Sequence, residues 1–394
     1  MTTTDGGFLI PPYGATPVVS RKISEVYHDG PLNNAYDLGA EEELMVLPTL
    51  PLRNEATVAQ KVIFEIDARS RQHTFLDFSS VFLHGSIKIV DSTNNNGKPA
   101  DTVNASTINN CLLSTFSKLE FKINGVGLDD VDDWQHVNQI DAVFNTNKNL
   151  RAGVLREGGM VFDKEGVFNS CKVDAGNVAV ETNIGYTTRQ ANFAKANQVG
   201  DNWTFDYKEI GHDFQTPMRL PLNRMLPGAG SIFQIEMTYS SNNWQHYIMA
   251  DKSEEGKRLK PWMTNLYLTI KTYVVDSPSA ALQMERRLRQ SGIIFHYNTL
   301  RTDRFLLQGG SKTYKTLLIN QGEPFLYAFL TLSTAGAVEG DVTKNPFEYL
   351  LTKINIDKTN DVTSIVAKQN QKELNSYTLK NTLRADYSRT ARLA

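Results

Sequence analysis

The chain has 394 residues, with 41 basic and 43 acidic side chains and a formal net charge of −2. That balance excludes a strongly basic protein that coats nucleic acid along its whole length. Hydrophobic residues make up 40% and charged residues 21%, as in a globular protein with room for two or three domains, and no run of about 18 apolar residues is present to cross a bilayer as a helix.

From the N-terminus, Met1 to Gly7 has neither the basic start nor the apolar run of a signal peptide, so synthesis in a reducing cytoplasm is expected. Residues 1–54 read as an arm. Gly6, Gly7, Pro11, Pro12, Pro48 and Pro51 punctuate short apolar pieces with no sustained period, and such a segment lies along a neighbouring surface.

The body from 55 onward reads as strands. Val81, Leu83, Ile87 and Ile89 alternate with Phe82, His84, Ser86 and Lys88, and Asn94-Asn95-Asn96-Gly97 closes that strand as a turn. Ser117, Leu119, Phe121 and Ile123 alternate with Lys118, Glu120, Lys122 and Asn124, and Asn124-Gly125 is a tight-turn signal. Phe233, Ile235, Met237 and Tyr239 form a third set, and Leu266, Leu268, Ile270 and Val274 a fourth. These patterns predict strands near 81–90, 116–124, 232–240 and 265–275. Alternation with period two buries one face and wets the other, which is the pattern of a sandwich.

Two helices are expected, near 132–145, where Trp134, Val137, Ile140 and Phe144 recur at helical spacing, and over 279–290, after Pro278. Residues 145–216 are polar and weakly patterned and read as a long inter-strand excursion. The resulting division is an arm at 1–54, a first β-domain at 55–278 and, from the linker helix onward, a second at 279–394.

Chemistry is hard to find. Cys111 and Cys171, the only cysteines, are too few for a disulfide scaffold or zinc ribbon and read as two buried thiols in preference to one bridge. The seven histidines are scattered, with no H-x-x-x-H, H-x-H or C-x-x-C pair, and His84, on the wet face of its strand, reads as a hydrogen-bonded surface group. Asp129, Asp130, Asp132 and Asp133 could hold a hard cation but lack EF-hand spacing, and read as the cap of the Trp134 helix. Gly309-Gly310-Ser311-Lys312-Thr313 lacks the first glycine of a phosphate loop and reads as a turn. No G-x-S-x-G is present. The expectation is no enzyme, no cofactor and no metal. Arg286, Arg287 and Arg289 form a basic run on the linker helix, and Arg384, Arg389 and Arg392 mark the C-terminal tail. Solvated charge is the default reading of both runs, and contact of the tail with a genome or an anionic membrane is the minority reading.

Three stretches in the same order carry a resemblance. The first is Phe75-Leu76-Asp77-Phe78-Ser79-Ser80-Val81-Phe82-Leu83-His84 with Ile87-Lys88-Ile89-Val90, followed by 108–125, which ends Leu119-Glu120-Phe121-Lys122-Ile123-Asn124-Gly125. The second is Leu222-Asn223-Arg224-Met225-Leu226-Pro227-Gly228 with Phe233-Gln234-Ile235-Glu236-Met237. The third is Val274-Val275-Asp276-Ser277-Pro278-Ser279-Ala280-Ala281-Leu282, then Gln308 to Tyr314, Phe329-Leu330 and Lys344-Asn345-Pro346-Phe347. Together they resemble the hexon-like double jelly-roll capsid proteins of Polinton and adintovirus type, over about residues 75–357.

The resemblance implies an all-β fold of two jelly-roll sandwiches side by side, with short helices and the long excursion as a tower or clasp. It implies a homotrimeric, pseudo-hexagonal tile of an icosahedral capsid, located in the virion, with itself and, through the arm, other capsid proteins as partners, and with no sequence-specific nucleic acid. Arg286, Arg287 and Arg289 are then candidate subunit contacts. The alternative is a β-sandwich receptor- or glycan-binding module, such as a fibre head or minor capsid protein. One departure is that such proteins carry several more strands after Lys344-Asn345-Pro346-Phe347, whereas 394 − 347 = 47 residues follow here, so a short second roll is expected.

Overall fold

The computed structural model describes residues 7–10, 38–54, 60–69, 71, 74–145, 153–164, 167–173, 182–221, 225–228, 230–239, 247–275, 286, 293–296, 302, 336 and 339–348, with four two-residue strands between 364 and 380. The strands in chain order are β1 (Gly7–Ile10), β2 (Leu38–Val46), β3 (Pro48–Leu50), β4 (Gln60–Asp67), β5 (Thr74–Asp91), β6 (Ala105–Thr107), β7 (Phe116–Ile123), β8 (Val126–Asp132), β9 (Ala194–Val199), β10 (Asn202–Tyr207), β11 (His212–Pro217), β12 (Met225–Pro227), β13 (Ile232–Tyr239), β14 (Ile248–Ala250), β15 (Leu259–Val275) and β16 (Ile293–His296). The helices are α1 (Cys111–Ser114), α2 (Trp134–Asn145), α3 (Val154–Glu157), α4 (Ile184–Phe193) and α5 (Ser253–Gly256).

Two five-stranded antiparallel sheets form the body. One has the order β11-β5-β15-β2, with β12 also on β5, and the other β3-β4-β13-β7-β8. Taking β2, β4, β5, β7, β8, β11, β13 and β15 in chain order as strands one to eight, the sheets read 1-8-3-6 and 2-7-4-5. That is the interleaved connectivity of a jelly roll, in which the chain alternates between two facing sheets. The fold is all-β, and the first sandwich is a jelly roll. Most of the second half, where the second roll was expected, lies outside the described residues.

The alternating patterns become the inner faces. Phe64 and Ile66 on β4, Phe121 and Ile123 on β7, and Phe233, Ile235 and Met237 on β13 are buried opposite Leu76, Phe78, Val81 and Leu83 on β5 and Leu268 and Ile270 on β15. Phe78 joins the layers, with its ring 5.6 Å from Phe121, edge-on, and 4.7 Å from Phe233. The β7–β8 turn has Asn124 at φ 49° and Gly125 at φ 78°, the left-handed pair that an Asn-Gly hairpin supplies without a Cβ clash at the glycine.

Four findings differ from the sequence reading, each for a local reason. β15 begins at Leu259 rather than near 265, because its register on β5 shifts between Thr264 and Tyr267 where Asn265 adopts φ 53°; this bulge breaks the alternation. β5 begins at Thr74 rather than 81, because the Asp77 side chain accepts from Ser79 N–H at 2.9 Å and the inward phase changes there. Residues 38–50, within the expected arm, form β2 and β3, and β2 pairs with β15 from Val46↔Leu268 to Leu38↔Val275. Its Glu41-Glu42-Glu43 run disguises it, and such charge is common on a sheet edge. Within 145–216, α3, α4, β9, β10 and β11 replace the weakly patterned loop, and the interruption between β8 and β11 spans 133–211.

Two outcomes are expected. Phe121→Asp or Ile235→Asp places an unpaired charge in the inter-sheet layer and costs more than about 4 kcal/mol, read as loss of soluble protein on expression. Deletion through Arg53 removes β2 from beside β15 and abolishes the cooperative thermal transition followed by circular dichroism.

Candidate functional site

The outer faces and the 133–211 excursion carry the charged chemistry. On the outer face of the β4-β13-β7-β8 sheet, Glu236 stands directly across from Glu120 in the β13–β7 register. Two like charges in that position repel. Two lysines bridge them, and a third joins Glu120. Lys61 lies 2.9 Å from Glu236 and 3.0 Å from Glu120, Lys122 lies 2.5 Å and 3.1 Å from the same two, and Lys118 lies 3.5 Å from Glu120. Lys118 continues to the edge strand, 2.7 Å from Asp130 and 3.7 Å from Asp132. Alternation along each strand puts every member on the same face, and the register sets the ladder.

The Glu120 and Glu236 side chains are only 16% and 9% exposed, so this lattice is stronger than a scatter of surface pairs. Burial raises the Glu120 carboxyl, but the hydrogen bonds from Lys61 and Lys122 outweigh it and hold the group at about 2. The same opposition, burial against Lys122 and Lys61, lowers Glu236. The bond to Glu236 and then that to Glu120 raise Lys61, and the bond to Asp130 raises Lys118.

On the other sheet, His84 stacks on Tyr267 at 4.5 Å and 2° between planes, with its Nε2 3.0 Å from Thr269 Oγ1. It is a hydrogen-bonded group of the outer face, as its place in the alternation implied, and burial lowers its pKa. At the β2–β3 corner Met45, Leu47 and Leu50 are 59%, 66% and 45% exposed, beside an open groove of about 210 Å³ lined by residues that include Ile66 and Arg71.

The excursion is built around a buried ion pair. Arg189 on α4 and Asp163 have side chains 1% and 2% exposed and meet at 2.7 Å, from Nη2 to Oδ1. Arg189 Nε–H also donates to the Thr107 carbonyl at 3.0 Å, and its Nη1 donates to the Val161 carbonyl. Asp163 accepts from the side-chain amides of Asn183 at 2.9 Å and Asn345 at 2.8 Å. Asn183 also caps α4, its Oδ1 accepting from Tyr186 N–H at 3.3 Å and from Lys164 N–H at 3.0 Å. Tyr207 on β10 donates to the Val103 carbonyl at 2.9 Å and accepts from Ala105 N–H at 3.0 Å, which ties the excursion to the sandwich.

The sequence candidates fare unequally. Asp130 and Asp132 lie on strand β8 and serve Lys118, in place of the expected helix cap. Asp133, at φ 54°, begins α2 by accepting through its backbone carbonyl from His136 N–H at 2.9 Å and Val137 N–H at 3.2 Å. Among the described residues no group of three or more His, Cys, Asp or Glu is placed to hold a metal ion. Cys111 and Cys171 are free and buried, and burial pushes both thiols up to about 12. Arg286 is helical and exposed. Arg287, Arg289, the Gly309–Thr313 turn and the tail arginines Arg384, Arg389 and Arg392 lie outside the described residues. Sequence reasoning missed the lysine–glutamate lattice, although Lys118-x-Glu120-x-Lys122 on one strand face was its signal. It also missed Arg189–Asp163, which has no signal short of the fold.

No family model and no curated protein matches this chain. Among solved structures, the 3.5 Å cryo-EM structure of the Sputnik virophage matches with TM-score 0.40 and 11% identity, over 67% of this chain and 54% of that one. VP54 of PBCV-1, fitted into a reconstruction of Sputnik, matches with TM-score 0.34 and 13% identity, over 64% and 45%. The Faustovirus major capsid protein matches with TM-score 0.30 and 9% identity, over 63% and 56%. This chain therefore spans about half the length of each, and the jelly roll is assigned from its own strand order.

A carboxylate whose folded pKa is depressed stabilises the fold above its unfolded value and loses that contribution as pH falls. For Glu120 the window runs from the ordinary 4.5 down to about 2. Glu120→Gln is expected to destabilise by about 1–2 kcal/mol at pH 7, allowing for partial exposure. Denaturant titrations should show that difference shrinking from pH 4.5 to pH 2, and a difference that persists undiminished at pH 2 would refute the role of the charge.

Proposed function

We propose that this chain is a structural coat protein of the Polinton/adintovirus type, forming a pseudo-hexagonal homotrimeric tile of an icosahedral viral capsid. The reading rests on one observation: the described parts of the stretches that resemble those coat proteins fall, in the same order, on four core strands of the jelly roll and the helix and short strand beside them. Residues 75–90 lie in β5, 108–125 run through α1 and β7, 225–237 cover β12 and most of β13, and Val274-Val275 end β15. A fold by itself does not specify function; the support here is that the resembling stretches fall mainly on strands of the roll and not on its loops. Jelly rolls standing side by side, three chains around an axis, present six similar wedges and so tile a flat facet. The excursion at one end of the sandwich suits a tower or inter-subunit clasp, and the arm ahead of β2 suits contact with neighbouring capsid proteins. In this reading the chain works in the virion, without enzymatic chemistry, and its main partner is itself.

A tile buries interfaces above about 2,000 Å² with apolar centres, and its isolated monomer is poorly soluble. Purified protein is expected to sediment as a trimer that survives dilution to nanomolar concentration and to form shells or facets in negative stain. Reversal of Arg286, Arg287 and Arg289 to Glu is expected to weaken the trimer while leaving strand content by circular dichroism unchanged. A stable micromolar monomer with normal strand content would overturn the tile and favour a glycan- or receptor-binding module.

A further inference from the structure

The chain beyond the linker meets the first sandwich again at residues 339–348. This segment shapes itself by local turns. Thr343 donates to Asp341 Oδ1 through N–H and Oγ–H, at 3.0 and 2.8 Å, and Phe347 N–H donates to Asn345 Oδ1 at 2.9 Å. Two apolar anchors then enter different places. Val342, 0% exposed, joins the main core, and Phe347, 3% exposed, joins a separate cluster with Ile108, Cys171, Tyr186, Tyr247 and Met249.

Polar contacts fix the register between the anchors. Ala250 N–H donates to the Val342 carbonyl at 2.9 Å. Asn345 N–H donates to Asn169 Oδ1 at 2.7 Å, and its side-chain amide donates to Asp163 Oδ2 at 2.8 Å. The receiving surface is shaped for this. A Cβ at Gly256 would stand 2.7 Å from the Val342 side chain, and His136 meets the Phe347 ring edge-on at 5.5 Å.

Two buried side chains flanking a directional polar contact are the anatomy of peptide recognition, where a few anchors carry most of the energy. The segment adds no strand to either sheet among the described residues, so its departure would leave the ladder bonds intact. We propose that residues 339–348 are a latch, and that the surface formed by 161–164, 167–171, α4 and 247–256 is a peptide-binding site whose ligand is this segment of the chain. Val342, Asn345 and Phe347 are its recognition elements. The latch pins the second half of the chain to the excursion and opens locally without unfolding the sandwich. This goes beyond the coat-protein reading and does not depend on it.

Asn345 supplies the chemical specificity. Its amide is one of three side-chain donors on Asp163, so an isosteric carboxylate would put two negative groups at hydrogen-bond distance in a buried site. Cys171 reports the Phe347 pocket, whose cluster it shares, while Cys111, in the main core with Val342, reports opening that spreads beyond that pocket. The experiment is thiol labelling of the full-length chain with Ellman's reagent, with sites assigned by mass spectrometry. Wild-type protein is expected to react slowly at both. Asn345→Asp and Phe347→Ala are each expected to raise the Cys171 rate at least about tenfold, through local opening, with the Cys111 rate unchanged. A synthetic peptide of residues 338–350 is expected to slow Cys171 again in the Phe347→Ala chain, and the same peptide carrying Asn345→Asp is not. Three results would overturn the latch: Cys171 as slow as wild type in both variants, Cys111 accelerated together with Cys171, or no protection by the peptide. Insolubility of both variants counts with the second of these, because the segment would then be part of the core and not its ligand.

Discussion

The contact of Phe78 with Phe121 and Phe233 is the one on which the sandwich depends. All three rings are at most 1% exposed, and they come from β5, β7 and β13, so the triad crosses the gap between the sheets. Aromatic pairs at 4.5–7 Å contribute beyond the area they bury. β5 carries further consequences, because it pairs with β15 along most of its length and with β11 and β12 on its other side. Seating Phe78 against the opposite sheet therefore sets the face of β5, and each strand paired with β5 takes its own face from that register.

Once the inner faces are buried, the outer faces are determined by exclusion, and their chemistry differs between the sheets. The β4-β13-β7-β8 face carries its charge as a neutralised lattice, in which two opposed glutamates are tolerable only because lysines interleave them. The β5–β15 face carries the His84–Tyr267 stack, and the β2–β3 corner beside it is apolar at Met45, Leu47 and Leu50.

The excursion completes part of its backbone bonding in α4 and the β9–β10 pair, and side chains satisfy some of the groups between them. Arg189 satisfies two carbonyls and one carboxylate, Asn183 closes the start of α4, and Asn345 arrives from a distant part of the chain to complete Asp163. Burying such an ion pair costs desolvation that the pair alone does not recover, and the surrounding amides offset it. The arrangement also ties three separate segments together at one carboxylate.

Much of the sandwich was legible because period-two alternation is a local property. Leu119, Phe121 and Ile123, or Phe233, Ile235 and Met237, declare their inward face without reference to any partner, and Asn124-Gly125 declares its turn. The all-β class, the faces of the four main strands, the Trp134 helix and the burial of both cysteines are local properties, since each follows from side-chain type and spacing within a few residues. Tertiary structure alone decided the rest. It made an edge strand of the glutamate run at 41–43, because β15 supplies the partner. It placed Glu120 opposite Glu236, whose separation in sequence gives no hint of their register. It brought Arg189, Asp163 and Asn345 to one buried point, because a contact between residues 26 and 182 positions apart is made by the path of the chain and leaves no trace in the local pattern.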